Sequence, residues 1–145
     1  MARGDVTIFE EARATMIDGG WEPADVIKCA ILDDTTTPAA ADSAPKLADY
    51  TQVGTAGTYV AGGTSLGTLG DCVTEAAGTV TFDSATNPTW AQDASNDADA
   101  YWALIYNDTD GDDKAIGFVD LGGPVDMSAG DLTITWNASG IFTIS

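Results

Sequence analysis

Histidine does not occur among the 145 residues of this chain. Its absence removes the commonest general base and the commonest metal ligand, and with them any Ser–His or Cys–His nucleophile pair. Basic residues are also scarce: five Lys and Arg stand against 23 Asp and Glu, a formal charge of −18. Nucleic-acid binding rests on Lys and Arg neutralising phosphates, so this balance argues against contact with DNA or RNA. The same repulsion argues against anionic membrane surfaces. Another protein surface is the expected partner. No stretch approaches the roughly 18 apolar residues of a membrane-spanning helix. The start, Met1 to Asp5, lacks the apolar run of a secretory signal, so the product is expected in the cytoplasm when made. Two cysteines, Cys29 and Cys72, do not make a disulfide framework. Cys29 lies in an apolar run and reads as a buried free thiol.

What is present is enough for a core. Hydrophobic residues make up 44%, too many for an acidic disordered tail. A chain of this length fits one domain, 1–145, and buries roughly 70% of its unfolded surface without an external staple. Ile8, Ala12 and Met16 recur at helical spacing, with Gly19-Gly20 as a stop, which predicts a helix over Ile8–Asp18 within an N-terminal segment 1–20. Thr7 and Glu10 have the spacing of a capping box, although Val6–Phe9 also suits the start of a strand. Val26–Leu32 is apolar on both faces apart from Lys28 and predicts a central strand. Asp33–Tyr50 is polar and broken by Pro38 and Pro45, which predicts a long surface excursion with at most one helical turn.

Strands follow. Thr58–Leu66 reads as a kinked or edge strand around Gly62-Gly63. Thr79–Phe82 alternates, with Val80 and Phe82 inward. A short strand follows Asn87-Pro88, and Tyr101–Tyr106 is again central, joined through the polar turn Asn107–Lys114 to its hairpin partner Ala115–Leu121. Leu132, Ile134 and Trp136 share one face, and Asn137–Gly140 is expected to turn the chain into a partner strand, Ile141–Ile144. The fold class expected is mainly β: an antiparallel, β-sandwich-like two-sheet domain with a short N-terminal helix and a long surface loop.

Candidate chemistry is thin. Tyr59–Thr64 is Gly-rich but lacks the Gly-Lys-Ser/Thr ending of a phosphate loop, and reads as a turn or bulge. Asp108, Asp110, Asp112 and Asp113 could offer oxygens to calcium. The EF-hand pattern fails, because Gly111 comes one place early and Val119 stands where a bidentate Glu belongs; a solvated hairpin tip is the expected reading. Asn107-Asp108-Thr109 and Asn137-Ala138-Ser139 match a glycosylation pattern and are read as turns. With 23 acids, a close carboxylate pair carries no weight as a glycosidase signal. Arg3-Gly4-Asp5 is too short to support adhesion. Trp90, Tyr101, Trp102 and Trp136 are expected in the core more than on a sugar. No catalytic residue, cofactor or metal is expected, and the chain is not expected to be an enzyme.

Several segments together carry a resemblance: Gly4–Glu11, Ala40–Tyr50, Tyr59–Gly63, Leu104–Thr109, Ala115–Val125, Gly130–Ala138 and Gly140–Thr143. In wording they resemble small virion proteins of tailed bacteriophages, of the capsid cement or decoration kind. The resemblance implies a structural protein on the outer capsid surface, present in the host cytoplasm during assembly, that bridges capsomers and stabilises the shell. The implied partner is the major capsid protein, and self-association as a dimer or trimer is expected. The contact residues implied are Arg3, Asp5, Val6, Ile8, Phe9, Pro38, Pro45, Lys46 and Tyr50. The alternative is a carbohydrate- or receptor-binding module of a tail or fibre.

Overall fold

The structure is a computed structural model describing residues 2–145; Met1, where the expected 1–20 segment begins, lies outside them. The fold is mainly β, 36% strand and 11% helix, and β-sandwich-like. Ten strands alternate with little helix: β1 (Val6–Ile8), α1 (Glu10–Asp18), β2 (Val26–Leu32), a 3-10 turn (Leu47–Asp49), β3 (Thr64–Thr68), α2 (Leu69–Cys72), β4 (Val73–Ala76), β5 (Thr79–Phe82), β6 (Thr89–Trp90), β7 (Ala100–Asn107), β8 (Ala115–Val125), β9 (Leu132–Thr133) and β10 (Phe142–Ile144). Every strand pairing is antiparallel. The strands form a five-stranded sheet ordered β1-β8-β7-β2-β3, a three-stranded sheet ordered β10-β5-β4, and the pair β6-β9.

The central strands are the ones expected. β2 and β7 are apolar in every direction because the large sheet is covered on both sides. Alternation along β2 sends Ile27, Cys29 and Ile31 into one core with Ile105, Met127 and Phe82, while Ala30 and Leu32 enter a second core with Phe9, Leu104 and Phe118. The smaller sheets cover the first face. The N-terminal segment and the 33–50 excursion cover the second.

Three expectations need correction. The helix begins at Glu10 and not at Ile8; Phe9 occupies the cap position without a side-chain cap bond. Val6, Thr7 and Ile8 instead pair with Val119, Phe118 and Gly117 along the edge of the large sheet. Phe9 is fully buried 5.2 Å from the Phe118 ring and 6.2 Å from the Tyr50 ring. Full burial of a side chain of that size contributes roughly 1.5–3 kcal/mol, more than the roughly 1 kcal/mol of a cap, so tertiary packing sets the boundary.

The excursion contains its one helical turn, but it is bound down and does not project. Glu10 N–H donates to Ala40 O, Ala115 N–H to Pro45 O and Leu47 N–H to Asp113 O, and the Tyr50 hydroxyl donates to Asp42. Leu47 and Tyr50 belong to the second core. The polar letters of this stretch conceal four inward apolar residues, because Pro38 and Pro45 are buried as well.

The last correction concerns the C-terminal strands. Asn137–Gly140 does form a turn, with Gly140 N–H donating to Asn137 O. It does not join partners, because β9 pairs with β6 and β10 crosses to β5.

Candidate functional site

Burial shifts both thiols and three of the phenols toward their neutral forms. Burial pushes the Cys29 thiol up to about 12. Burial, reinforced by the charges of Asp71 and Asp83, pushes Cys72 up to about 11. The phenols of Tyr50, Tyr59 and Tyr106 are raised above their ordinary range, again mainly by burial. Each is used structurally: the Tyr59 hydroxyl donates to Gln52 Oε1 at 2.7 Å and accepts from the Ile31 N–H, and that of Tyr106 donates to Gly62 O at 2.8 Å. Two carboxyls are shifted down by hydrogen bonds, Asp71 of α2 from Thr68 and Asp126 from Ser128, and both are exposed.

The acidic tip behaves as a turn tied by lysines. Lys28 Nζ lies 2.9 Å from Asp108 and Lys114 Nζ 3.7 Å from Asp110. Asn107 Oδ1 accepts the N–H groups of Thr109 and Asp110. Burial raises the Asp113 carboxyl, with Asp108 adding to it. Among the described residues no group of three His, Cys, Asp or Glu side chains is placed to hold a metal ion.

The four aromatic rings that could stack on a sugar are separated. Trp90 is buried against Tyr59, Trp102 packs edge-on against Phe118, and the Trp136 indole donates to Thr86 O at 2.9 Å. Tyr101 is half-buried on β7. No two of the four make a ring contact among the described residues.

The nine residues assigned to partner contact divide into two groups. Ile8, Phe9, Pro38, Pro45 and Tyr50 are buried within the chain itself. Arg3 and Asp5 are exposed, while Val6 and Lys46 are half-exposed. Asp5 accepts the Ala2 N–H at 2.7 Å, and Lys46 forms an antiparallel bridge with Lys114. Docking through this set would therefore fall to four side chains, of which only Val6 is apolar.

A different surface has the character of a docking site. The three-stranded sheet is two-faced. Its register sets Val73, Phe82 and Phe142 in one row and Glu75, Val80 and Ile144 in the next, all on one face. The other face carries Thr74, Thr81, Thr143 and Thr79. The apolar face is anchored at its inner end, where the Phe82 and Phe142 rings stack 4.8 Å apart. Its outer end is uncovered. Helix α1 stands across from it, ends at Gly19, and presents Met16 and Ile17.

Between helix and sheet lies a groove of about 640 Å³. Trp21 and Leu69 help line it, and the indole N–H of Trp21 is buried without an acceptor. Among the described residues five large apolar side chains remain exposed, and four of them border this groove: Ile17 (88%), Ile144 (51%), Val73 (39%) and Val80 (38%). Scattered apolar residues on a surface mean little, but a contiguous cluster in a concavity marks an interaction site. None of the lining residues is acidic, and Arg13 alone carries a charge.

Sequence reasoning missed this groove. Val80 and Phe82 read as inward, and they do share a face, but among the described residues nothing covers the Val80 end. Ile17 sits one place beyond the Ile8-Ala12-Met16 series. The available signal was a surplus: the apolar faces of β4, β5, β10 and the end of α1 exceed what one helix of nine residues can cover.

Comparison with protein-family models, with curated proteins and with solved structures finds no match for this chain.

Proposed function

We propose that this chain is a structural assembly protein of the capsid cement or decoration kind, which acts by docking on another protein and performs no catalysis. The observation that carries the reading is the apolar groove between α1 and the β10-β5-β4 sheet, the acid-free concavity on a body of net charge −18. A rigid, doubly covered sheet presents that groove, and buried thiols and phenols held neutral suit a body built for stability. The resemblance of the Gly4–Glu11 and Leu104–Val125 wording to small virion proteins supplies the setting. In that setting the partner is the major capsid protein, the location is the outer capsid surface across capsomer junctions, and the acidic body faces away from packaged DNA. Self-association as a dimer or trimer remains compatible with this reading.

The mechanism is mass action. A ligand that binds only the assembled shell stabilises it by its binding free energy, about 2.7 kcal/mol per site at a hundredfold excess over Kd. Repetition over a symmetric lattice multiplies that figure. The tail- or fibre-associated carbohydrate module is less well supported, since it needs exposed rings side by side and the candidate rings are dispersed.

The test adds purified protein to capsids lacking it and records co-sedimentation and the temperature of genome release. Wild-type protein is expected to co-sediment and to raise that temperature, whereas the Ile17→Asp, Val80→Asp double variant is expected to do neither. Absence of both effects with wild-type protein removes the cement role.

A further inference from the structure

We infer that the groove between α1 and the β10-β5-β4 sheet takes a segment of a different protein, apolar at its centre and flanked by lysine or arginine. This rests on reading the groove as a docking face and adds the chemistry of what docks there.

The argument is one of charge complementarity. The floor and walls are apolar: Val73, Val80, Phe82 and Ile144 from the sheet, Met16 and Ile17 from the helix. Three exposed acidic residues adjoin the lining in sequence or in register. Glu75 shares the apolar face, opposite Val80 in the β4–β5 register. Asp18 lies between the lining residues Ile17 and Gly19, and Glu22 directly follows Trp21. Against them stands the single guanidinium of Arg13, part of whose donor capacity goes to Ile8 O at 3.4 Å. An incoming apolar segment therefore meets an acidic rim, within a Debye length of a strongly acidic body.

A second copy of this chain fits that rim poorly. It has five basic residues in all. Two of them, Lys28 and Lys114, are already paired with Asp108 and Asp110, and Arg13 lies in the groove itself. A symmetric pairing would set three carboxylates and one guanidinium against the same set, between two bodies of charge −18. Like charges placed opposite one another suppress that pairing, whereas basic flanks on an apolar segment convert the rim from an obstacle into a source of orientation and on-rate. At about 640 Å³ the groove falls within the range of concavities that hold a ligand of several large side chains.

Two synthetic peptides of identical apolar core, one flanked by lysines and one by glutamates, test this on the full-length protein. The readout is the methyl resonances of Ile17, Val73, Val80 and Ile144 and the indole resonance of Trp21. The lysine-flanked peptide is expected to shift these signals and leave those of Ile31 and Ile105 in place. Its affinity is expected to fall about tenfold or more as salt rises from about 0.05 M to about 0.5 M. The glutamate-flanked peptide is expected to bind at least tenfold more weakly, and Ile17→Asp with Val80→Asp to abolish binding while the core resonances stay unchanged. Equal binding of the two peptides, binding that shifts other residues, or binding of neither overturns the inference. So does a dimer of the free protein, seen by sedimentation, that Ile17→Asp dissociates. Capsid binding lost on Ile17→Asp without any peptide preference leaves the docking reading standing and removes this one. A clear peptide preference without capsid binding does the reverse.

Discussion

Replacing Gly63 with alanine isolates how tightly the chain entering β3 is set against β2. A Cβ at this position would lie 1.8 Å from the Cys29 carbonyl oxygen and 2.7 Å from the Ala30 Cα. Carbon and oxygen approach to about 3.3 Å without strain, so the backbone must open by more than an ångström. Cys29 sits in the interior of β2 and cannot yield, being clamped by Ile105 of β7 on its other side. The Gly62-Gly63 turn must move instead. That movement breaks the bonds from Tyr106 to Gly62 O, from the Gly62 N–H to Gln52, and from the Gly63 N–H to Val60 O. Three such bonds at about 1 kcal/mol each, added to about 1 kcal/mol for placing a Cβ at φ +71°, give a loss of about 3–5 kcal/mol. Gly78 supplies the control: its φ is +82°, but no atom lies within 4 Å of the added Cβ, so Gly78→Ala should cost only the backbone part, about 1 kcal/mol. Urea denaturation of both variants, with the slope checked for constancy, measures the difference. Equal losses in the two variants would refute the steric account.

Three further outcomes follow from the same geometry. Asn96 is a buried polar hub, its amide donating to Thr58 Oγ1, Ala91 O and Met127 O while its oxygen accepts the Thr58 N–H; Asn96→Ala leaves buried groups unpaired and should cost about 2–4 kcal/mol in urea. Ala77 turns the β4–β5 hairpin at φ +50°, a conformation Asn tolerates better, so Ala77→Asn should raise stability by about 0.5–1 kcal/mol and the melting temperature with it. In alkali the buried thiols and phenols stay neutral in the folded chain while the unfolded chain ionises, from about pH 8.5 for thiols and about pH 10 for phenols. Stability should therefore be complete below that range and fall as pH climbs toward the folded values of about 11 for Cys72 and about 12 for Cys29; a melting temperature flat through about pH 11 would contradict it.

The elements legible in the sequence are those whose burial is written into adjacent residues. Val26–Leu32, apart from Lys28, and Tyr101–Tyr106 are apolar on both faces, and the polar turn between Asn107 and Lys114 announces a hairpin, so the middle of the large sheet could be placed directly. Pairings between distant segments were not legible. Thr7 carries the letters of a helix cap, yet its strand partner Phe118, far along the chain, decides its conformation. Ile141–Ile144 follows a turn that suits a hairpin, but Phe142–Ile144 pairs with β5, about 60 residues earlier in the chain. Three of the contact residues assigned from the excursion, Pro38, Pro45 and Tyr50, are buried for a related reason: with Leu47 they are spaced without strand or helix period, so their common inward direction exists only once the sheet beneath them has formed. The groove escaped notice because it depends on a cover that no element among the described residues supplies, and an unmet need leaves no local mark.

The two-faced register of the small sheet makes the concavity hostage to counting. Sliding β10 by a single position would turn Phe142 and Ile144 to the wet side and deliver Thr143 inward, dissolving the stacked phenyl pair and lining the cleft with hydroxyls. Adding or removing one residue between Ile134 and Ile141 should therefore remove the apolar floor of the groove while leaving the central sheet intact.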